Sequence, residues 1–159
     1  MLCAALIASS LMLSVPEAQD MSAHMPAPAA VIAQEPLYAE IVARAQSLER
    51  TVAQWLAAGE GVDAGFSESQ RFADLRAEAG ALAELNMRGH HDLAARSVDG
   101  DLKCILRGLA EDIPVRLSDY AAATSAPERQ SALGELRHLF EDNAAVVLSP
   151  PQPATAESD

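Results

Sequence analysis

The stretch YAEIVARAQSLERTVAQW, residues 38–55, decides the fold of this chain. Its apolar side chains recur at intervals of three or four residues, at Tyr38, Ile41, Ala45, Leu48, Val52 and Trp55. This spacing places them along one stripe of an α-helix and leaves the charged side chains on the other faces. A single apolar stripe cannot bury itself, so the stretch requires further helices to pack against.

Three further stretches carry the same spacing, with stripes that run from Phe72 to Leu93, from Leu102 to Tyr120 and from Leu133 to Val147. The sequence places the start of the second helix at Ser67, of the third after Asp101 and of the fourth after Ser125. Short connections between successive helices favour antiparallel neighbours. We therefore predict an all-α fold, an antiparallel up-down four-helix bundle.

Two positions make the helix boundaries uncertain. Gly89 is followed by His90 and His91 in a second helix that would otherwise be longer than the first, so a break there, with a short extra helix after Gly89, is an open alternative. Pro114 lies inside the third helix and removes the hydrogen bond to the carbonyl of Ala110. We expect a kink or a restart of that helix near Asp112.

The ends of the chain differ in composition from its centre. Residues 1–18 begin with an apolar run that is too short to span a bilayer, and we interpret them as a signal peptide, although no Lys or Arg precedes the run. Residues 19–35 are a Pro/Ala-rich linker, 36–148 the helical bundle domain and 149–159 a disordered tail. The expected location is periplasmic or secreted, without a membrane span in the mature chain. The mass of the native N-terminus would test this expectation.

The charge of the chain argues against two classes of partner. The net charge is -12, and residues 36–148 contain 11 basic and 18 acidic side chains. Nucleic acids and anionic membrane surfaces both require a basic footprint on the protein. We therefore expect no nucleic-acid partner and an acidic, solvated surface.

Four polar residues are candidates for a layer inside the bundle. Asn86 and His90 fall on the apolar stripe of the second helix, and antiparallel packing is expected to bring Tyr38 and Asn143 to their level. Such a layer would hold a small ligand, a metal or a haem edge, or would simply fix the helix register. His90 and His91 are the metal candidates, although neighbours on an unbroken helix point about 100° apart.

The sequence favours no cofactor. A Cys-x-x-Cys-His motif for haem attachment is absent, and His138 projects away from the stripe of the fourth helix, which argues against a haem or di-iron bundle. The run from Met21 to Met25 places thioether sulfurs beside the imidazole of His24, a set of ligands that suits copper or nickel. Five residues in a linker are little support for a metal site, so the cofactor prediction is none.

The outer face of the third helix is the candidate interaction face. Cys104 falls about 200° from Leu102 on a helical projection, with Gly108 one turn later and Val115 further along. An exposed thiol beside small and apolar side chains suits close contact with a protein partner or a second copy, as a homodimer. Burial of Cys104 as an inert apolar residue is the alternative.

Motifs for catalysis are missing from the sequence. It contains no Gly-x-Ser-x-Gly elbow, phosphate-binding glycine loop or His-Glu-x-x-His helix, so we predict that the protein is not an enzyme. The function expected is that of a non-enzymatic exported helical bundle acting through protein-protein interaction or self-association. The alternative is a small-ligand, haem or metal-binding four-helix bundle of the cell envelope.

Overall fold

A computed structural model of the chain describes residues 32–96 and 100–151. In this part of the chain the α-helices are α1 (Pro36–Ala58), α2 (Gln70–Ala95), α3 (Leu102–Ala122) and α4 (Ala126–Leu148), with a 3₁₀ turn at Phe66–Glu68. The predicted all-α four-helix bundle is confirmed. The predicted signal peptide, residues 19–31 of the linker with its Met21–Met25 run, and residues 152–159 lie outside the described residues.

The four apolar stripes form one core. Helix α1 packs against α2 and α4, and α3 packs against α2 and α4, so that α2 and α4 lie diagonally opposite each other. Every member of the α1 stripe, from Tyr38 to Trp55, is buried. The core also includes Ile32, which is 7% exposed although the sequence assigns it to the linker. Among the described residues, core packing therefore extends to Ile32, four residues before α1.

The starts of three helices test the predicted capping signals. For α4 the Ser125 side chain accepts from the backbone N–H of Glu128, whose carboxylate in turn accepts from the backbone N–H of Ser125, so the predicted capping box is confirmed. Helix α2 is capped by Ser69, since Ser67 is part of the 3₁₀ turn. Asp101 precedes α3, but its side chain makes no capping hydrogen bond. The prediction for Ser67 is therefore wrong, whereas the predicted start of the third helix after Asp101 is confirmed, without a capping hydrogen bond from the Asp101 side chain.

The alternative of a break at Gly89 is wrong. Helix α2 continues through Gly89 to Ala95, and no extra helix follows Gly89 within the described residues up to Arg96. Gly89 is buried, and a Cβ atom built on it would lie 3.0 Å from Leu106 Cδ1 and 3.4 Å from Ile41 Cδ1. Close packing of these two side chains over the glycine offsets its low helix propensity, which costs about 1 kcal/mol relative to alanine.

Helix α3 does not restart at Asp112, as the sequence led us to expect. The helix runs unbroken from Leu102 to Ala122 with Pro114 inside it. Pro114 is exposed, and its carbonyl accepts a hydrogen bond from the Ser118 hydroxyl at 2.9 Å. Helix α3 tolerates the proline because Ile113 and Leu117 on either side of it are buried in the core and hold both halves in place.

Two buried side chains hold the loop between α1 and α2. Tyr120 donates from its hydroxyl to the Gly61 carbonyl at 2.7 Å, and Arg129 donates from Nε to the Val62 carbonyl at 2.6 Å. Gly61 has a φ of 80°, and a Cβ atom there would lie 2.7 Å from Leu133 Cδ1, so both its backbone conformation and its packing require glycine. The loop is therefore fixed to α3 and α4.

Candidate functional site

The candidate interaction face on α3 is accessible. Cys104 is exposed with a free thiol, and Val115 is 53% exposed. Gly108 lies between them, half-buried, and a Cβ atom built on it would meet nothing within 4 Å. The spacing of four and seven residues keeps all three on one stripe of the helix. The alternative in which Cys104 is buried is therefore wrong.

The charges of α3 are balanced, in contrast to those of the whole chain. The helix carries three basic and three acidic side chains, at Lys103, Arg107, Glu111, Asp112, Arg116 and Asp119. Arg107 lies 3.9 Å from Glu111, and Arg116 lies 3.4 Å from Asp119. Because the chain as a whole has a net charge of -12, a surface without net charge is a place where a second acidic protein can approach at low electrostatic cost.

The four residues of the predicted polar layer differ in burial and in hydrogen bonding. Tyr38, Asn86 and Asn143 are each 0% exposed, but the Tyr38 hydroxyl bonds to Asp92 near the end of α2. His90 is only half-buried, and its Nδ1 lies 2.7 Å from the Lys103 carbonyl in the first turn of α3. The polar atoms of Tyr38 and His90 therefore bond to groups outside the predicted four-residue layer, and the layer itself stays a prediction. Spacing along a helix fixes the face of a residue but not the partner that its polar atoms find.

Asn86 and Asn143 remain as the polar residues of the core interior. Among the described residues, neither Oδ1 nor Nδ2 of either side chain has a hydrogen-bond partner. Both residues take regular positions on the apolar stripes of α2 and α4. Buried polar atoms are nearly always hydrogen-bonded in native proteins, so these two amides are a departure from simple apolar packing that needs an explanation.

Tyr38 belongs to a chain of polar contacts that ties the end of α2 to the start of α1. Its hydroxyl donates to Asp92 Oδ2 at 2.7 Å, and that carboxylate also pairs with Arg96 at 2.7 Å. Arg96 donates two hydrogen bonds to the Glu35 carboxylate, at 2.5 and 2.9 Å. The hydrogen bond from Arg96 lowers the pKa of Glu35. These contacts close one end of the bundle.

Both tyrosines of the chain are buried, and this predicts how the protein responds to alkaline pH. Burial, reinforced by the Asp92 carboxylate, raises the pKa of Tyr38, and burial also raises the pKa of Tyr120. A raised folded-state pKa contributes stability that is present below the ordinary value of 10.0 and is lost as the pH rises through the folded value. We expect the phenolate absorbance to appear and the helical circular dichroism to be lost together, at a pH above the ordinary tyrosine pKa. Ionisation of either tyrosine near its ordinary pKa, with the helices intact, would contradict the burial of these hydroxyls.

The two histidines of α2 do not converge with other ligands. The ring centroids of His90 and His91 lie 5.1 Å apart, and Nδ1 of His90 is engaged with the Lys103 carbonyl. Within residues 32–96 and 100–151, no group of three or more His, Cys, Asp or Glu side chains is arranged to hold a metal ion. Among the described residues, the structure therefore brings no third metal ligand to His90 and His91.

Arg129 is a buried charged side chain that the sequence pattern did not predict. It is 8% exposed and donates to the carbonyls of Val62 and Ala123, at 2.6 and 3.0 Å. Ala123 is the C-cap of α3, so the guanidinium satisfies a helix-end carbonyl as well as the loop. Arg129 lies four residues before Leu133 on the α4 stripe, and this extension of the stripe was the available signal.

Comparison with known proteins gives this fold no relative. No family model, no curated protein sequence and no solved structure matches the chain. Among the helices that the structure describes, none combines the length and the apolar character needed to cross a membrane. Any functional inference therefore rests on the surface and the interior of the bundle itself.

Proposed function

We propose that the protein is a non-enzymatic, exported helical bundle that acts by self-association through the outer face of α3. The observation that carries the proposal is the exposure of Val115. Val115 and Leu148 are the exposed large apolar side chains of the described part of the chain, and only Val115 shares a stripe with Cys104 and Gly108. Apolar side chains left on a surface beside a small residue are typical of contact sites between proteins.

A second copy of the chain is the partner that fits this face best. A two-fold symmetric contact places the same patch on both sides, so its charges must complement themselves. The equal numbers of basic and acidic side chains on α3 meet that requirement. Gly108 would let two helices approach closely. This contact would offset the cost of a glycine in a helix, about 1 kcal/mol, at a position where an added Cβ atom meets none of the described residues within 4 Å.

Val115→Asp tests the proposal, with Leu148→Asp as its matched control. Both substitutions place a carboxylate at a side chain about half exposed, 53% for Val115 and 48% for Leu148, so neither is expected to unfold the bundle. Burying an unpaired carboxylate in a dimer contact is expected to raise the dimer dissociation constant at least about tenfold for Val115→Asp only. Sedimentation equilibrium in reducing buffer measures both variants against the unmodified chain.

Two results of that experiment would contradict the proposal. The first is a chain that remains monomeric at the highest concentration reached, since there is then no contact to weaken. The second is an equal loss of affinity in both variants, which would place the contact elsewhere or reduce it to a general effect of added charge.

A further inference from the structure

We infer that the interior of the bundle contains a specific water-binding site, in which ordered water bridges the side-chain amides of Asn86 and Asn143. The inference does not depend on the proposed self-association. Both side chains are 0% exposed, and all four of their polar atoms lack a partner among the described residues. These are the only two asparagines in the 159-residue chain. Both therefore lie where an amide is most costly unless it is hydrogen-bonded.

Contacts of α1 with residues near the two asparagines indicate that Asn86 and Asn143 lie at a similar level of the bundle. Tyr38 reaches the Gly89 carbonyl, and a Cβ atom on Gly89 would touch Ile41, so Asn86, about one turn before Gly89, lies beside the segment from Ile41 to Ala45. On the other side of α1, Glu49 pairs with Arg137 at 2.8 Å. Because α4 runs antiparallel to α1, Asn143, six residues beyond Arg137, is expected beside the same segment of α1.

The diagonal placement of α2 and α4 explains why the amides do not satisfy each other. The helices that pack as neighbours are α1 with α2 and α4, and α3 with α2 and α4. Diagonal helices lie farther apart than neighbouring ones, so two short asparagine side chains meet across the bundle axis only through a third group. A direct hydrogen bond between the two amides is not formed.

Water fits this position in chemistry and in size. An asparagine amide offers two donors and two acceptor lone pairs, and a buried water forms two to four hydrogen bonds, so two amides are sufficient partners for one or two waters. The level of the asparagines also carries the small buried side chains of Ala45 and Ala144, with Ala110 close to it on α3. The inference requires that these small side chains leave space for an ordered water beside the amides.

Nuclear magnetic resonance tests the site on the unmodified full-length chain. Selective ¹⁵N-asparagine labelling gives two side-chain amide groups, because the sequence contains only two asparagines. We expect cross-peaks from both amides to water, with opposite signs in NOESY and ROESY spectra, the signature of long-lived bound water. The exposed amide of Gln130, labelled in a second sample, is the control and is expected to show only the short-lived contacts of surface water.

A double-mutant cycle supplies an independent measurement. Asn86→Leu and Asn143→Leu are each expected to lower the folding equilibrium constant by about tenfold, because the remaining amide loses its bridge. The double variant removes both amides and the reason for the water, so its loss is expected to be much smaller than the product of the two single losses. The melting temperature of the double variant is expected to lie above that of the less stable single variant.

Three results would overturn the inference. Water cross-peaks that are absent, or that match those of Gln130, would show that the layer holds no long-lived water. A direct contact between the two amides in the same spectra would show that they satisfy each other. Losses that simply multiply in the double variant would show that Asn86 and Asn143 act independently. If either single variant fails to fold, the spectra of the unmodified chain decide.

Discussion

Replacing Gly89 with leucine is expected to destabilise the bundle by about 2–3 kcal/mol. A Cβ atom at this position already lies 3.0 Å from Leu106 Cδ1 and 3.4 Å from Ile41 Cδ1 and Tyr38 Cε1, so a leucine side chain has to displace α1 and α3 side chains together. The gain in helix propensity, up to about 1 kcal/mol, is smaller than this overpacking cost. Urea denaturation followed by circular dichroism measures the difference.

Gly80→Leu is the matched control for this prediction. Gly80 lies in the same helix, is exposed, and a Cβ atom there would meet nothing within 4 Å. The same substitution is therefore expected to stabilise the protein by about 0.5–1 kcal/mol through helix propensity alone. If Gly89→Leu were also stabilising, α2 would not pass close to α1 and α3 at Gly89, and the packing of the described core would be wrong at this point.

Replacing Arg129 with methionine is expected to cost about 2–4 kcal/mol. The substitution keeps an apolar side chain of similar length but removes the hydrogen bonds to the carbonyls of Val62 and Ala123. Those carbonyls belong to the α1–α2 loop and to the end of α3, so both lose a charged donor at once. The free energy of unfolding, from urea denaturation, measures the loss.

Arg137→Met is the control for charge and residue type. Arg137 lies on the same helix and pairs with Glu49 at 2.8 Å, but its side chain is 41% exposed. Exposed ion pairs contribute about 0–1 kcal/mol, so this substitution is expected to change stability little. Equal effects of Arg129→Met and Arg137→Met would mean that Arg129 does not anchor the loop through its buried hydrogen bonds.

The periodic stripes predicted the fold because burial of apolar faces decides the packing of a helical bundle. The same reasoning failed at Gly89, where a low-propensity residue was interpreted as a break. Gly89 stays helical because Ile41 and Leu106 pack closely against it, where there is little room for a side chain. Propensity is a local property, and tertiary packing overrides it without leaving a signal in the local sequence.

The interior polar residues show a second limit of sequence reasoning. The stripe of α2 placed Asn86 correctly in the core, and Asn143 of α4 is buried as well. Tyr38 and His90 were assigned to the same layer, but their polar atoms bond to Asp92 and to the Lys103 carbonyl. A helical projection gives the direction of a side chain, whereas the hydrogen-bond partners depend on rotamers and on neighbouring helices.

The surface residues were easier to predict than the buried polar ones. Exposure of Cys104 and Val115 followed from their position opposite the α3 stripe, since no fifth packing element covers that face in the described residues. Arg129 was missed because arginine is almost never fully buried, so its place at the end of the α4 stripe was not counted as core.

Concentration-dependent ¹⁵N–¹H correlation spectra of the unmodified chain, recorded in reducing buffer, test the central claim most directly. Self-association through α3 predicts that the backbone amides of Cys104, Gly108 and Val115 shift or broaden as the concentration rises, while those on the outer faces of α1 and α2 do not. Spectra that do not change with concentration, or changes that cluster on another helix, would contradict the proposed function.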